Sequence, residues 1–228
     1  MPESDRVILS WSSGKDSAWT LHTLRQQNLE VVALLTTFDE ASDRVAMHGT
    51  RRALVEAQSR AADIPLFPVF LPWPCSNADY EKIMGEALAS MEKQFRPTHV
   101  AFGDLFLEDI RAYRQTQMAN TGLELLFPVW QQPTRDLARQ MTDAGLEAVI
   151  TCVDPEQMSA SFVGRKFDRG LLDQLPASVD PCGEHGEFHS FVYSGPMFSK
   201  PIPVDVGEIV ERDGFVSADV DFAMGHSR

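Results

Sequence analysis

The stretch Val7-Ile8-Leu9-Ser10-Trp11-Ser12-Ser13-Gly14-Lys15-Asp16-Ser17-Ala18-Trp19 decides the fold. An apolar run ends in a small, polar, glycine-bearing turn, which opens onto a segment of helical spacing. It reads as strand, tight turn and helix start. Such a turn points the unpaired N–H groups of the first helical turn at one spot, where the helix dipole adds partial positive charge. Ser12, Ser13 and Ser17 add hydroxyls, Gly14 lets the backbone come close, and Lys15 adds a cation. The expected guest is a phosphate group, and with it a nucleotide.

The rest of the first half continues the alternation. Strands are expected at 31–38, 66–71, 100–102 and 123–129, and helices at 16–27, 50–62, 77–94 and 109–120. Strand alternating with helix specifies the α/β class, here a doubly wound parallel sheet of five strands covered on both faces. Ligands of such sheets sit at the carboxyl ends of the strands, where the turn 12–17 lies. After Trp130 the rhythm changes. A helix at 134–144 and a strand at 148–153 are followed by β-like runs at 188–193, 202–206, 208–211 and 215–222, with Asp213-Gly214 as a hairpin signal. The chain is therefore divided into 1–130 and a smaller α+β domain at 131–228. The short junction 131–133 packs the two together, and the tail 224–228 is expected to fray.

Bulk properties narrow the function. The 228 residues carry a net charge of -13, which disfavours a long nucleic-acid footprint. Three widely spaced cysteines, Cys75, Cys152 and Cys182, form no CxxC pair and suit a reduced, cytoplasmic chain. No leader-like segment opens the sequence, and no apolar run approaches the ~20 residues that span a bilayer.

The turn does not fit a Walker-type loop, because the first glycine of GxxxxGK[ST] is missing and Asp16 follows Lys15. Ser12 and Lys15 satisfy SxxK, but the companion motifs of that acyl-enzyme class are absent. A plain helix cap would need one such residue rather than a run of six. The spacing, the preceding strand and the following helix instead fit the SGGxDS loop of the PP-loop ATP pyrophosphatases, with Ser13 in place of the first glycine.

Further motifs extend this likeness along nearly the whole chain: Met47-His48, Gly103-Asp104 with Arg111, Pro128-Val129-Trp130, Gly164-Arg165, the segment Asp180-Pro-Cys-Gly-Glu-His-Gly-Glu-Phe-His189, and Gly195-Pro-Met-Phe198. On these residues the chain resembles the diphthine–ammonia ligase (ATP-binding) family, with an adenine nucleotide alpha hydrolase-like fold. The resemblance implies cleavage of ATP between its α and β phosphates. An adenylated carboxylate and pyrophosphate form, and ammonia then displaces AMP to leave an amide. Lys15, Asp16, Glu184 and Glu187 are the expected catalytic residues. Ser12, Ser13, Gly14, Lys15, Ser17, Thr36, Thr37, Phe38, His48, Gly103, Asp104 and Arg111 are expected to bind the nucleotide, and Asp16 and Asp104 to hold Mg²⁺. The partners implied are a carboxylate acceptor and ammonia, and a homodimer stays open. His185 stands where the family usually has Gly or Asn, and Phe188-His189-Ser190 replaces Tyr-Glu-Thr. These departures face the acceptor and leave open a different acceptor. An adenine-nucleotide sensor without chemistry also stays open, since a fold does not settle function. Cys182, His185 and His189 supply only three ligands for zinc, so a carboxylate role for the segment is preferred.

Overall fold

The computed structural model describes residues 5–46, 48–212 and 214–225. Met47 of the Met47-His48 motif, Asp213 of the hairpin signal and the tail residues 226–228 lie outside them. The N-terminal half runs β1 (Arg6–Ser10), α1 (Lys15–Gln26), β2 (Glu30–Asp39), β3 (Arg44–Val45), α2 (Arg52–Ala62), β4 (Leu66–Leu71), α3 (Asn77–Phe95), β5 (His99–Ala101), α4 (Glu108–Met118) and β6 (Glu124–Leu126). The C-terminal half runs α5 (Thr134–Asp143), β7 (Glu147–Val153), β8 (Lys166–Phe167), α6 (Arg169–Leu172), β9 (Phe188–Ser194), β10 (Val204–Arg212) and β11 (Phe215–Phe222).

Five strands pair in parallel in the order β4-β2-β1-β5-β6. Successive side chains of β1 point to opposite faces. Val7 and Leu9 join a cluster with Ala18, Leu21 and Leu24 of α1, while Ile8 joins one with Ala87 and Met91 of α3. The sheet is thus doubly wound, and its strand order reverses on either side of β1. Crevices at such reversals hold ligands beyond the carboxyl ends of the strands. Here that crevice lies between the turns leaving β1 and β5. β1 follows β2 only as far as Leu35; beyond it β3 pairs antiparallel with Phe38 and Asp39. This adds a sixth, short strand that the periodicity did not reveal.

The C-terminal sheet is antiparallel and centred on β7, which pairs with β8, β9 and β11. The two expected runs at 202–206 and 208–211 join in one strand, β10, which begins only at Val204 and shifts its register between Val206 and Ile209. The core does not stop at residue 131. Leu9, Leu21, Leu137, Ile150, Phe188 and Val192 belong to one buried cluster. No described helix is long and apolar enough to cross a membrane.

Candidate active site

The turn after β1 is held from beneath by Gln58 of α2. This buried amide accepts from Trp11 Nε1 at 2.8 Å and donates to the carbonyls of Ser13 at 3.0 Å and Val192 at 2.7 Å. Val192 N–H also donates to the Ser13 carbonyl, at 3.1 Å. Strand β9 and helix α2 therefore fix the turn jointly. Ser13 sits at φ 71°, where a glycine is at ease and a serine is strained. Its hydroxyl donates to Thr50 Oγ1 at 2.9 Å. Gly14, the cap residue of α1, has no side chain to cap the helix; its own N–H donates to Ser12 Oγ at 3.4 Å and Lys15 N to Ser190 Oγ at 3.2 Å, so hydroxyls from the turn and from β9 surround a helix start of anion-binding character. A Cβ on Gly14 would come within 3.1 Å of the Ser190 carbonyl, so glycine lets the turn lie this close to β9 without displacing it.

The turn forms one wall of a cleft of about 610 Å³. Ser12, Gly14, Lys15, Asp16, Ser17 and His48 line it from one side, Gly103, Asp104 and Arg114 from another, and Cys182–Gly186 with His189 and Ser190 close it. Lys15 is 2 % exposed. Its ammonium donates to Asp16 Oδ2 at 2.9 Å and to the Cys182 carbonyl, and it lies 4.9 Å from the Phe188 ring centroid. Burial works against this charge, but Asp16, with Cys182 and Glu184, holds the pKa above the ordinary lysine value. Burial likewise pushes the Asp16 carboxyl up against the pull of Lys15. Asp16 Oδ1 is buried with no partner.

Across the cleft, Glu184 Oε1 accepts from Phe106 N at 2.8 Å and Leu105 N at 3.3 Å. Burial raises its pKa, with these backbone bonds opposing. Burial also drives the Cys182 thiol above the range of a reactive thiolate, with Lys15 opposing. His48 and His189 meet with ring centroids 4.4 Å apart.

Several expected residues act elsewhere. Glu187 does not line the cleft. It is 1 % exposed, and its two oxygens accept from Asp180 N at 2.8 Å and His185 N at 2.9 Å, so it holds the loop rather than a reactant. Asp104 reaches the cleft, but Arg114 engages both its oxygens at 2.5 and 3.1 Å, which removes it as a free metal ligand. Arg111 stacks on Trp130 at 4.6 Å and Phe127 at 4.9 Å and does not line the cleft. Arg114, which sequence reasoning missed, does; it lies three residues further along α4 and stacks on Phe102 at 4.2 Å. Thr36 spends its hydroxyl on the Trp11 carbonyl at 2.8 Å, the Thr37 carbonyl accepts from Ala46, and Phe38 is in the core. Gly103 lines the cleft, yet its missing side chain serves the helix. A Cβ there would lie 3.0 Å from the Asp16 carbonyl carbon and Thr20 Oγ1. Of the Phe188-His189-Ser190 departure, Phe188 is buried beneath Lys15 and Ser190 Oγ accepts from Lys15 N at 3.2 Å.

A phosphate-receptive turn at the reversal point of a parallel sheet, closed by a loop from an antiparallel sheet, defines a nucleotide-binding α/β protein. Residues 5–125 match the model described as the diphthamide synthase N-terminal domain, and 133–219 match its C-terminal domain. The chain belongs to the diphthamide synthase family. It is 26% identical over 229 residues to the diphthine–ammonia ligase of Schizosaccharomyces pombe, covering 91% of this chain and 37% of that protein. It is 27% identical over 239 residues to the Rattus norvegicus diphthine–ammonia ligase, covering 95% and 89%. The Bos taurus protein of the same name is 22% identical over 245 residues, covering 95% and 89%. The chain thus spans about a third of the yeast relative and most of the two mammalian ones.

Proposed function

We propose that the chain is an ATP-dependent ligase that forms an amide from diphthine and ammonia, releasing AMP and pyrophosphate. One observation carries this reading: the N-terminal turn of α1, with its unpartnered Asp16 oxygen, lines the same cleft as Glu184. The family resemblance and the names of the relatives supply the substrates.

The N-terminal turn of α1, lined by Ser12 and Ser17, receives the phosphates, and Gly14 lets them approach. Lys15 does not stand free in solvent. It fixes the closing loop through the Cys182 carbonyl and presents its charge from below the turn. Arg114 adds positive charge at the far wall while neutralising Asp104. These fixed charges are present before the reaction and stabilise charge as pyrophosphate departs. No group of three or more His, Cys, Asp or Glu able to hold a metal occurs among the described residues. Mg²⁺ fits here in the manner usual for nucleotide sites, with one carboxylate and the substrate's own phosphates. The buried, unpartnered Asp16 Oδ1 is the oxygen that would hold it. When bound, Mg²⁺ would draw negative charge from the phosphates.

The test is AMP release from ATP with diphthine and ammonium supplied together and separately. AMP and pyrophosphate in equal amounts, dependent on diphthine, support the reading. ATP binding without either product favours a sensor instead. Asp16→Asn is expected to lower AMP release by about a hundredfold, the scale of losing a main electrostatic contributor.

A further inference from the structure

Most polar groups of the cleft are already engaged. Asp104 is held by Arg114, Glu184 Oε1 accepts two N–H bonds, Ser12 and Ser17 share their hydroxyls, and Lys15 donates to Asp16 and to the Cys182 carbonyl. Two buried atoms of the cleft-lining residues have no partner: Asp16 Oδ1, which suits the cation, and His48 Nδ1. We propose that His48 and His189 form the seat of the ammonia nucleophile. The inference rests on the ligase reading above.

The geometry is specific. His48 comes from the short loop between β3 and α2, and His189 from β9, so one imidazole is supplied by each half of the chain. The His48 loop is clamped at both ends. Arg44 Nη1 and Arg51 Nε donate to Asp219 Oδ1 on β11 at 3.0 and 3.2 Å, and Thr50 receives the Ser13 hydroxyl. The His48 ring lies against Gly14, at the phosphate turn itself.

The chemistry then selects the guest. Burial, with His189 and Lys15 adding to it, lowers His48 to about 3, and burial with Lys15 lowers His189 to about 4. Both rings are neutral at pH 7. A neutral imidazole offers one N–H donor, one acceptor nitrogen and no charge, which makes it a weaker phosphate ligand than an imidazolium and leaves an acceptor for an N–H guest. The nearby Lys15 ammonium repels a second cation, so ammonium is disfavoured in favour of ammonia. Ammonia donates an N–H to His48 Nδ1, with His48 in its Nε2–H tautomer, and keeps its lone pair for attack. That pair forms the new C–N bond. The acyl–oxygen bond to the phosphate breaks, and AMP leaves with its electrons. The surplus proton on nitrogen passes through the imidazole to water.

The test is steady-state kinetics of wild type, His48→Ala and His189→Ala, with ATP and ammonium chloride varied separately at saturating diphthine. The KM for ammonium is expected to rise about tenfold or more in each variant, while the KM for ATP stays within about twofold. His48→Gln, whose amide oxygen still accepts a hydrogen bond, should recover most of the loss and guards against a merely unfolded alanine variant. A raised KM for ATP with an unmoved KM for ammonium overturns the proposal and makes the pair a nucleotide contact. Unmoved values for both remove the pair from the reaction. Wild type that releases no AMP in response to diphthine overturns the ligase reading and this inference together. Normal wild type with an unmoved ammonium KM overturns only the pair.

Discussion

The turn Ser12–Ser17 and the loop Asp180–His189 face each other across one cleft, and both are glycine-bearing and polar. Their hydrogen bonding differs in what it leaves over. In the first, hydroxyls accept from Ser12 N, Gly14 N and Lys15 N, but Asp16 Oδ1 has no partner among the described residues. In the second, the polar groups are spent inside the loop. Asp180 Oδ1 accepts from Cys182 N at 2.8 Å and Glu184 N at 3.4 Å, while Glu187 takes two further N–H bonds. The first is built to receive a ligand, and the second to be a stiff wall that presents Glu184 and His189. Two carboxylates in one Gly-Glu repeat can therefore have different work. The informative difference is which oxygen is left unpaired.

The largest effect should come from the side chain that joins the two loops. Lys15→Met leaves Asp16 without its buried counter-ion and the Cys182 carbonyl without its donor. Breaking such a pair costs about 3–5 kcal/mol, visible as a fall of many degrees in thermal melting, with AMP release lost as well. Melting at the wild-type temperature would mean that the loops stand independently.

Glu187→Ala should come next. It unpairs two N–H groups in a buried loop, at about 2–3 kcal/mol in urea unfolding, while Glu187→Gln keeps one acceptor and costs less. Because Glu187 lies away from the cleft, calorimetric ATP affinity should stay within about twofold in Glu187→Gln. A loss of ATP binding without a loss of stability would return Glu187 to the reacting groups.

The histidine pair gives a pH-dependent contribution. Unfolded imidazoles take up protons below about pH 6.5, whereas the folded rings stay neutral until about 4 and about 3. The unfolded state therefore binds more protons in that window, and stability present above it is lost as the pH falls. The double variant His48→Asn/His189→Asn should lose stability less steeply between pH 6.5 and 4 in thermal melts. Equal slopes would show that the rings are not held neutral by folding.

The smallest effect is expected at Ser13. Glycine there relieves a left-handed backbone worth about 1 kcal/mol, but forfeits the buried bond to Thr50, worth about the same. Ser13→Gly should stay within about 0.5 kcal/mol of wild type, whereas Ser13→Ala keeps the strain, loses the bond and should fall by about 1 kcal/mol.

The same contrast explains what the sequence disclosed. The parallel strands were legible because alternation and length are local properties, and the turn after β1 because its residues are contiguous. The two-residue strands β3 and β8 are too short to carry a period. Gln58 looks like a polar residue on a helix surface, and only the arrival of β9 reveals it as a buried bridge between Trp11, Ser13 and Val192. Arg114 was passed over for Arg111 because both follow Asp104 on one helix. α4 begins at Glu108, and its winding turns Arg114 back to the carboxylate and Arg111 onto Trp130. Glu187 was misread because its partners are backbone groups, which leave no trace in composition.

The central claim is that the cleft activates a carboxylate by adenylation. Its most direct measurement uses diphthine carrying oxygen-18 in its carboxylate, with ATP and ammonium, and mass analysis of the AMP released. Adenylation transfers one carboxylate oxygen to the α-phosphate, so each AMP should carry one oxygen-18 and each product amide should retain one. AMP free of the label, or ADP in its place, would contradict the account.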